Sequence, residues 1–189
     1  QIDIVIGSPP CLGFSKVGRA KRKALKRSLG RIQSGRNSES NNLGRTFLKF
    51  VKKIKPPVFI FENVEAMGSY EGGSYLREVL GRISDENYEP YSIVLNAADY
   101  GVPQNRKRLF IIGFQKNIVY DFPIPLKSEN KVSTYEAIGD LPKSSVLEGS
   151  PYFKDSRSKY QKKMRKNSKG IFNHQITNHS DKTQKIISL

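Results

Sequence analysis

Two short apolar runs constrain this chain more than anything else in it. Ile2 to Ile6 and Val58 to Phe61 are rich in β-branched and aromatic residues, and both stop abruptly, the first at Gly7-Ser8-Pro9-Pro10 and the second at Glu62-Asn63. Runs this short and this apolar read as strands buried on both faces. Between them Leu43, Phe47, Leu48, Phe50, Val51 and Ile54 mark a helix face, which Pro56-Pro57 ends. After Gly72-Gly73, the residues Tyr75, Leu76, Val79, Leu80 and Ile83 recur at helical spacing. A third strand is predicted at Tyr91 to Leu95 and a fourth at Leu109 to Ile112. Strand, helix, strand, helix, strand is the rhythm of a parallel sheet, while the short link around Asp99-Tyr100-Gly101-Val102-Pro103 leaves room only for a hairpin. The expected fold is therefore α/β, a mostly parallel sheet with an antiparallel hairpin edge.

Beyond Phe122-Pro123-Ile124-Pro125 the apolar periodicity weakens, and residues 1–126 are separated on that ground from a basic, less regular segment, 127–189. Ser133 to Leu141 can hold one short helix, with Ser133 or Thr134 as cap and Pro142 as stop. Phe153 to Lys169 sets Phe153, Tyr160 and Met164 among many Lys and Arg, a basic helix suited to the domain surface or a phosphate backbone. Lys16 to Arg36 is basic and without an acidic residue, as a solvated loop or irregular helix would be. The chain opens on Gln1 with no initiator Met and no basic region ahead of an apolar one, so it is not read as secreted. It reads as entered in mid-strand and as leaving Leu189 without a cap.

Thirty-three Lys and Arg against 17 Asp and Glu give a net charge of +16 over 189 residues. An excess that large favours a polyanionic partner, nucleic acid before an anionic membrane surface. No apolar run approaches the roughly 20 residues of a bilayer span, so no membrane is expected. One Cys forbids an internal disulfide and points to a reducing, cytoplasm-like compartment. With only His174 and His179 beside it, a four-ligand Cys/His zinc site cannot be assembled, and no metal is expected.

Three short constellations can carry chemistry. A lone intracellular Cys is more often a buried filler than a nucleophile. Cys11, however, follows the carboxyl end of a strand, where open α/β sheets place their functional crevice. Pro9 and Pro10 stiffen the loop before it and Gly13 permits close approach, so a thiol is presented on a rigid loop. Glu62 ends the second strand after four apolar residues. A salt-bridging role is common for Glu, but partial burial there favours a neutral acid able to donate a proton. In Gln104-Asn105-Arg106-Lys107-Arg108 an exposed basic cluster is usually a solvated or phosphate-binding loop, and Lys107 is read so. Arg106 and Arg108, two apart in an extended segment, share a face and offer two guanidinium forks to carbonyl or phosphate oxygens.

Together these resemble the DNA cytosine-5 methyltransferases. Ser8-Pro9-Pro10-Cys11-x-Gly13-Phe14-Ser15, Glu62-Asn63-Val64 and Gln104-x-Arg106-x-Arg108 resemble that family's nucleophile, acid and arginine motifs, in order. Asn42-Leu43, Ala98-Asp99-Tyr100-Gly101-Val102-Pro103, Ala137-Ile138-Gly139-Asp140-Leu141-Pro142 and the Asn-His pairs at 173–174 and 178–179 are similar to further family segments. The resemblance implies a Rossmann-like class I methyltransferase sheet, here incomplete. It implies methyl transfer from S-adenosylmethionine to C5 of cytosine in double-stranded DNA, with the base flipped out of the duplex. Cys11 would add to C6, Glu62 would act on N3 and the exocyclic amine, and Arg106 and Arg108 would hold O2. Among the substrate-binding residues Pro9, Pro10, Ser15, Asn63 and Gln104, Asn63 would pack on and orient the Pro-Cys segment, Ser15 would meet a phosphate, and Gln104 would complete the arginine motif. An amino-methylating class resembles this one but has an aromatic residue after its Pro-Pro; Cys11 points to carbon methylation.

The sequence departs from the family in having Leu12 where Gln is usual and Ser8 where Gly is usual. No Gly-x-Gly occurs in the chain, so the family's cofactor loop is missing and only Leu43 resembles a cofactor contact. The expectations are a central catalytic segment inactive by itself, a complementing polypeptide that carries the cofactor loop, and a prokaryotic, cytoplasmic and nucleoid-associated setting. The alternatives are the family's tRNA-modifying branch and a non-catalytic nucleic-acid-binding module that kept the fold.

Overall fold

The computed structural model describes residues 2–10, 39–118, 125–181 and 183–184, with the side chains of 39–42 excepted. Cys11, Ser15 and the basic stretch Lys16 to Arg36 lie outside the described residues. Two compact units are present, Gln1–Ala97 with Asn105–Lys127, and Ala98–Gln104 with Ser128–Leu189.

The first unit carries a four-stranded sheet of β1 (Ile4–Gly7), β2 (Val58–Val64), β3 (Tyr88–Asn96) and β4 (Lys107–Gln115), in the order β1-β2-β4-β3. β1 pairs parallel to β2, with Ile4 opposite Val58 and Gly7 opposite Phe61. β4 runs antiparallel to both β2 and β3. β1, β2 and β3 thus share one direction, as the strand-helix rhythm requires, and the hairpin folds β4 back between β2 and β3. The sheet is mixed α/β with its antiparallel hairpin at one edge.

Alternation along the strands sorts side chains onto two faces. Phe59, Phe61, Leu109 and Ile111 point to one face and form a core with Val51 of α1 (Glu39–Ile54), Met67 of α2 (Ala66–Ser69), Ile83 of α3 (Ser74–Asp85) and Tyr88. Phe59 is fully buried, edge-on to Tyr88 at 5.2 Å and to Phe47 of α1 at 6.0 Å. Gly113, directly opposite Phe59, leaves room for that ring. The other face stays open on β1: Ile4 and Ile6 are 54% and 70% exposed, so the expectation of burial on both faces fails there. Every helix that packs into this core does so on the Phe59 side, which leaves Ile4 and Ile6 without a covering layer among the described residues.

The helices end where the sequence says they must. α1 stops one residue before Pro56-Pro57, and the pre-proline Lys55 takes a left-handed φ of 51° while its N–H still donates to the Val51 carbonyl. Phe47, Leu48 and Val51 face inward on α1, while Leu43, Phe50 and Ile54 are exposed. Gly72 and Gly73, both at positive φ, turn the chain from α2 into α3.

In the second unit Ser133 caps α4 (Thr134–Ile138) and Ser158 caps α5 (Lys159–Arg165), each with a reciprocal bond from the third residue of the helix, Glu136 and Gln161. The Ser158 hydroxyl also donates to the Glu136 carbonyl at 2.5 Å, which ties one helix to the other. Helix therefore covers only a short part of the expected Phe153 to Lys169 span, because Ser158 starts it late. No helix among the described residues is long and apolar enough to cross a membrane.

Candidate active site

The register of three strands gathers the site. β1 and β2 run side by side, so Ser8 leaves β1 beside Glu62. β4 places Phe110 opposite Glu62 and Arg108 opposite Val64. Residues two apart on a strand share a face, so Arg108 is the diagonal neighbour of Glu62. Its Nε lies 2.9 Å from Glu62 Oε1, with both side chains 22% exposed. The other carboxylate oxygen, Oε2, accepts a hydrogen bond from the Ser8 hydroxyl. Glu62 is thereby held from two sides. The Arg108 Nη1 also donates to the Lys107 carbonyl at 2.8 Å, which fixes the plane of the guanidinium.

Asn63, next along β2, points to the opposite face and is buried. Its Nδ2 donates to the Pro9 carbonyl at 3.2 Å, and its Oδ1 accepts from the Val64 N–H at 2.9 Å. The amide is thus tied to its own backbone on one side and grips the Pro9-Pro10 segment on the other. Pro9 is half-buried and Pro10 exposed. Cys11 follows immediately in sequence, outside the described residues.

Arg106 and Arg108 part company. Arg108 is in β4 and on Glu62, whereas Arg106 precedes the strand and is exposed. Its backbone holds the hairpin neck: its N–H donates to Asn96 Oδ1 at 3.0 Å and its carbonyl accepts from Ala97. Asn96 and Asn105 are bonded side chain to side chain at 2.9 Å. Lys107 points away from Arg108, 3.6 Å from exposed Glu65. Gln104 is exposed and belongs to the second unit, where its N–H donates to the Val102 carbonyl. Leu43 lies near the start of α1 and is 45% exposed.

Ser8 is the residue that sequence reading undervalued. It stood out only as a departure from the usual Gly, and the bond to Glu62 follows from the β1–β2 register, which local pattern does not reveal. A groove of about 430 Å³ runs between α1 and α3, floored by Phe59, Phe61 and Met67. It opens on the helix-covered face, opposite the face to which Glu62 points, so it is not part of this site.

Comparison with known proteins gives the arrangement its context. Residues 1–188 match the family described as C-5 cytosine-specific DNA methylase. The type II methyltransferase M.DdeI of Desulfomicrobium norvegicum is 33% identical over 96% of this chain and 43% of its own length. M.Bpa9945I of Bacillus paralicheniformis, also a type II methyltransferase, is 31% identical over 92% of the chain and 42% of its own length. The chain thus spans about two fifths of these relatives. A crystal structure from E. coli, described as a candidate prophage-encoded DNA modification methyltransferase, shares the fold at a TM-score of 0.59 and 23% identity, over 86% of this chain and 43% of that one. A match that runs over nearly every residue leaves one assignment: the chain belongs to the C-5 cytosine-specific DNA methylases.

Proposed function

We propose that this chain carries the base-chemistry half of an enzyme that methylates C5 of cytosine in double-stranded DNA, as part of a restriction-modification or orphan modification system acting at the bacterial nucleoid. The observation that supports this most is Glu62, held between Ser8 and Arg108 two residues before β2 ends, beside the Pro9-Pro10 segment that leads into Cys11. The reacting atoms of cytosine are inaccessible in the stack, so the base is flipped into the site. The Cys11 thiolate adds to C6, which raises electron density at C5. Glu62 donates to N3, accepts from the exocyclic amine, and so stabilises the adduct. Arg108 orients Glu62 and, with Arg106, offers donors to O2. Asn63 positions the backbone ahead of Cys11, with Pro9 and Pro10 limiting its motion. Ser15 and Gln104 contact the strand around the extruded base. After C5 is methylated, loss of its proton to a base returns the electron pair that expels Cys11.

S-adenosylmethionine, the donor that the family implies, supplies the methyl group as an electrophilic sulfonium carbon. A nucleoside donor needs an apolar slot for its purine and a carboxylate for its ribose. Among the described residues, Ile4 and Ile6 offer exposed apolar surface on the face of Glu62 and Leu43 offers some on α1, but the carboxylate of Glu62 is already engaged by Arg108 and Ser8. The described residues do not form a donor pocket, and no step of the chemistry above passes through one. A further polypeptide segment, in cis or in trans, is proposed to complete it, and the 189 residues alone to bind the donor weakly.

The test is a covalent trap. Duplex DNA with 5-fluorocytosine at the target, incubated with the complete enzyme and S-adenosylmethionine, is expected to give a denaturation-resistant adduct, because fluorine at C5 cannot leave as a proton does. Cys11→Ser should abolish the adduct and Ser8→Gly should slow its formation. No adduct from the wild-type enzyme on its proper site would reject the mechanism in favour of a binding-only protein.

A further inference from the structure

Helix α5 is built with its polarity reversed. Its inward face carries Gln161 and Arg165, one turn apart. Gln161 is buried, its side-chain oxygen accepts from the Arg157 and Ser158 N–H groups, and its Nε2 donates to the Tyr135 carbonyl. Arg165 pairs with buried Asp140, donates to the Lys154 carbonyl at 2.8 Å, and stacks on Tyr152 with its guanidinium carbon 3.8 Å from the ring centroid. These directional bonds fix which way the helix faces.

What they turn outward is a stripe of cations. Lys159, Lys162, Lys163 and Lys166 follow the i, i+3, i+4, i+7 spacing of one helix face, and all four are exposed. None has an acidic partner among the described residues. Between Lys154 and Lys169 the sequence holds eight Lys and Arg against Asp155 alone. Four unpaired like charges on two turns repel one another by a few tenths of a kcal/mol per pair, so the face is unfavourable without a polyanion. The stripe spans about 10 Å at ~1.5 Å per residue, near three of the ~3.4 Å charge steps of one DNA strand. An interfacial membrane helix, by contrast, needs an apolar face opposite its charges. Here that face carries Gln161 and Arg165, both already committed inward, and only Tyr160 and Met164 as apolar-bearing side chains, too few to seat the helix in a bilayer surface.

We infer that the outer face of α5 is a duplex-DNA backbone contact, outside the residues named for catalysis, which grips phosphates without reading bases. The choice of DNA as the polyanion rests on the function proposed above; the lysine stripe does not depend on that reading. Each contact that neutralises a phosphate contributes about 0.9 to the slope of log affinity against log salt. The experiment measures binding of the 189-residue chain to a fluorescent duplex of arbitrary sequence across a salt series, and needs neither Cys11 nor a methyl donor.

Replacing all four residues (Lys159→Gln, Lys162→Gln, Lys163→Gln, Lys166→Gln) should lower that slope by about 2 to 4. The comparison set Lys49→Gln, Lys52→Gln, Lys53→Gln and Lys55→Gln removes the same formal charge from α1 and the residue after it, and should lower it by less than 1. Lys→Arg at the four α5 positions should keep wild-type binding. Equal loss from both glutamine sets would show diffuse charge rather than a built surface and would overturn the inference. So would failure of the wild-type chain to bind duplex DNA at low salt, or tighter stripe-dependent binding to vesicles of anionic lipid than to DNA. The covalent trap reads the catalytic proposal separately, since it scores Cys11 and not α5.

Discussion

Gly113 offers a sharp test of how β2 and β4 are locked together, and with them Glu62 and Arg108. A Cβ at Gly113 would lie 2.1, 2.5 and 2.9 Å from three ring carbons of Phe59. That ring is wholly buried and flanked by Phe47 and Tyr88, so it has no direction in which to swing. Overpacking of a filled core costs about 1–3 kcal/mol, and a ring blocked on two sides places Gly113→Ala near ~3. Phe59→Leu removes the offending ring edge and costs roughly 1–3 kcal/mol, below the ~3–5 of full truncation to Ala. In the double variant the new methyl group occupies space that the ring has vacated, so the second change should cost little. A favourable coupling of about 1–3 kcal/mol is expected, since the two residues are in direct contact. Urea denaturation followed by far-ultraviolet circular dichroism measures the cycle; the chain has no Trp, so fluorescence is a poor probe. Strictly additive losses would refute the packing account, because the clash could not then be between these two groups.

Two further outcomes concern the second unit. Arg165→Met breaks the pair with Asp140 and strands a carboxylate that is 5% exposed, so a loss of about 3–5 kcal/mol is expected, partly restored by Asp140→Leu in the same chain; thermal unfolding by circular dichroism checks both. Hydrogen bonds from the Ser133 backbone N–H and then from its hydroxyl lower the pKa of Glu136 below its usual 4.5. The ionised form is the one favoured in the fold, so the α4 cap should be intact above pH 4.5 and lost only as the pH falls through the lower folded value. The Ser133 amide resonance, followed by nuclear magnetic resonance, should titrate below 4.5, and Ser133→Ala should move the Glu136 transition back toward it.

What the sequence displays and what it hides divide along physical lines. Helices α1 and α3 were legible because their apolar spacing is local, and so was the α4 cap, which Ser133 and Glu136 make within four residues. The hairpin followed from the short link alone. The position of β4 between β2 and β3 was not legible, because pairing across more than forty residues leaves no mark on local pattern. The Ser8–Glu62 bond was hidden for the same reason. Pairing of Asp140 with Arg165 was hidden by a different cause: both residue types belong by default on the surface, and only tertiary packing reveals their burial. Arg106 and Arg108 were read as one unit from their two-residue spacing, yet β4 begins at Lys107, so alternation governs Arg108 and not Arg106.

The place of Ser8 in the sheet has one more implication. Among the described strands, Glu62 and Arg108 stand on the two that are bonded to neighbours on both sides, while Ser8 sits one residue beyond the four-residue β1, which is paired there on one side. An interior pair keeps its geometry through fluctuations that would loosen an edge. Any slip of β1 would withdraw the Ser8 hydroxyl from Glu62 and the Pro9 carbonyl from Asn63 together. The contact between Ser8 and Glu62 therefore works as an interlock: Glu62 keeps its second partner only while β1 is seated, and the same register holds Pro9 on Asn63.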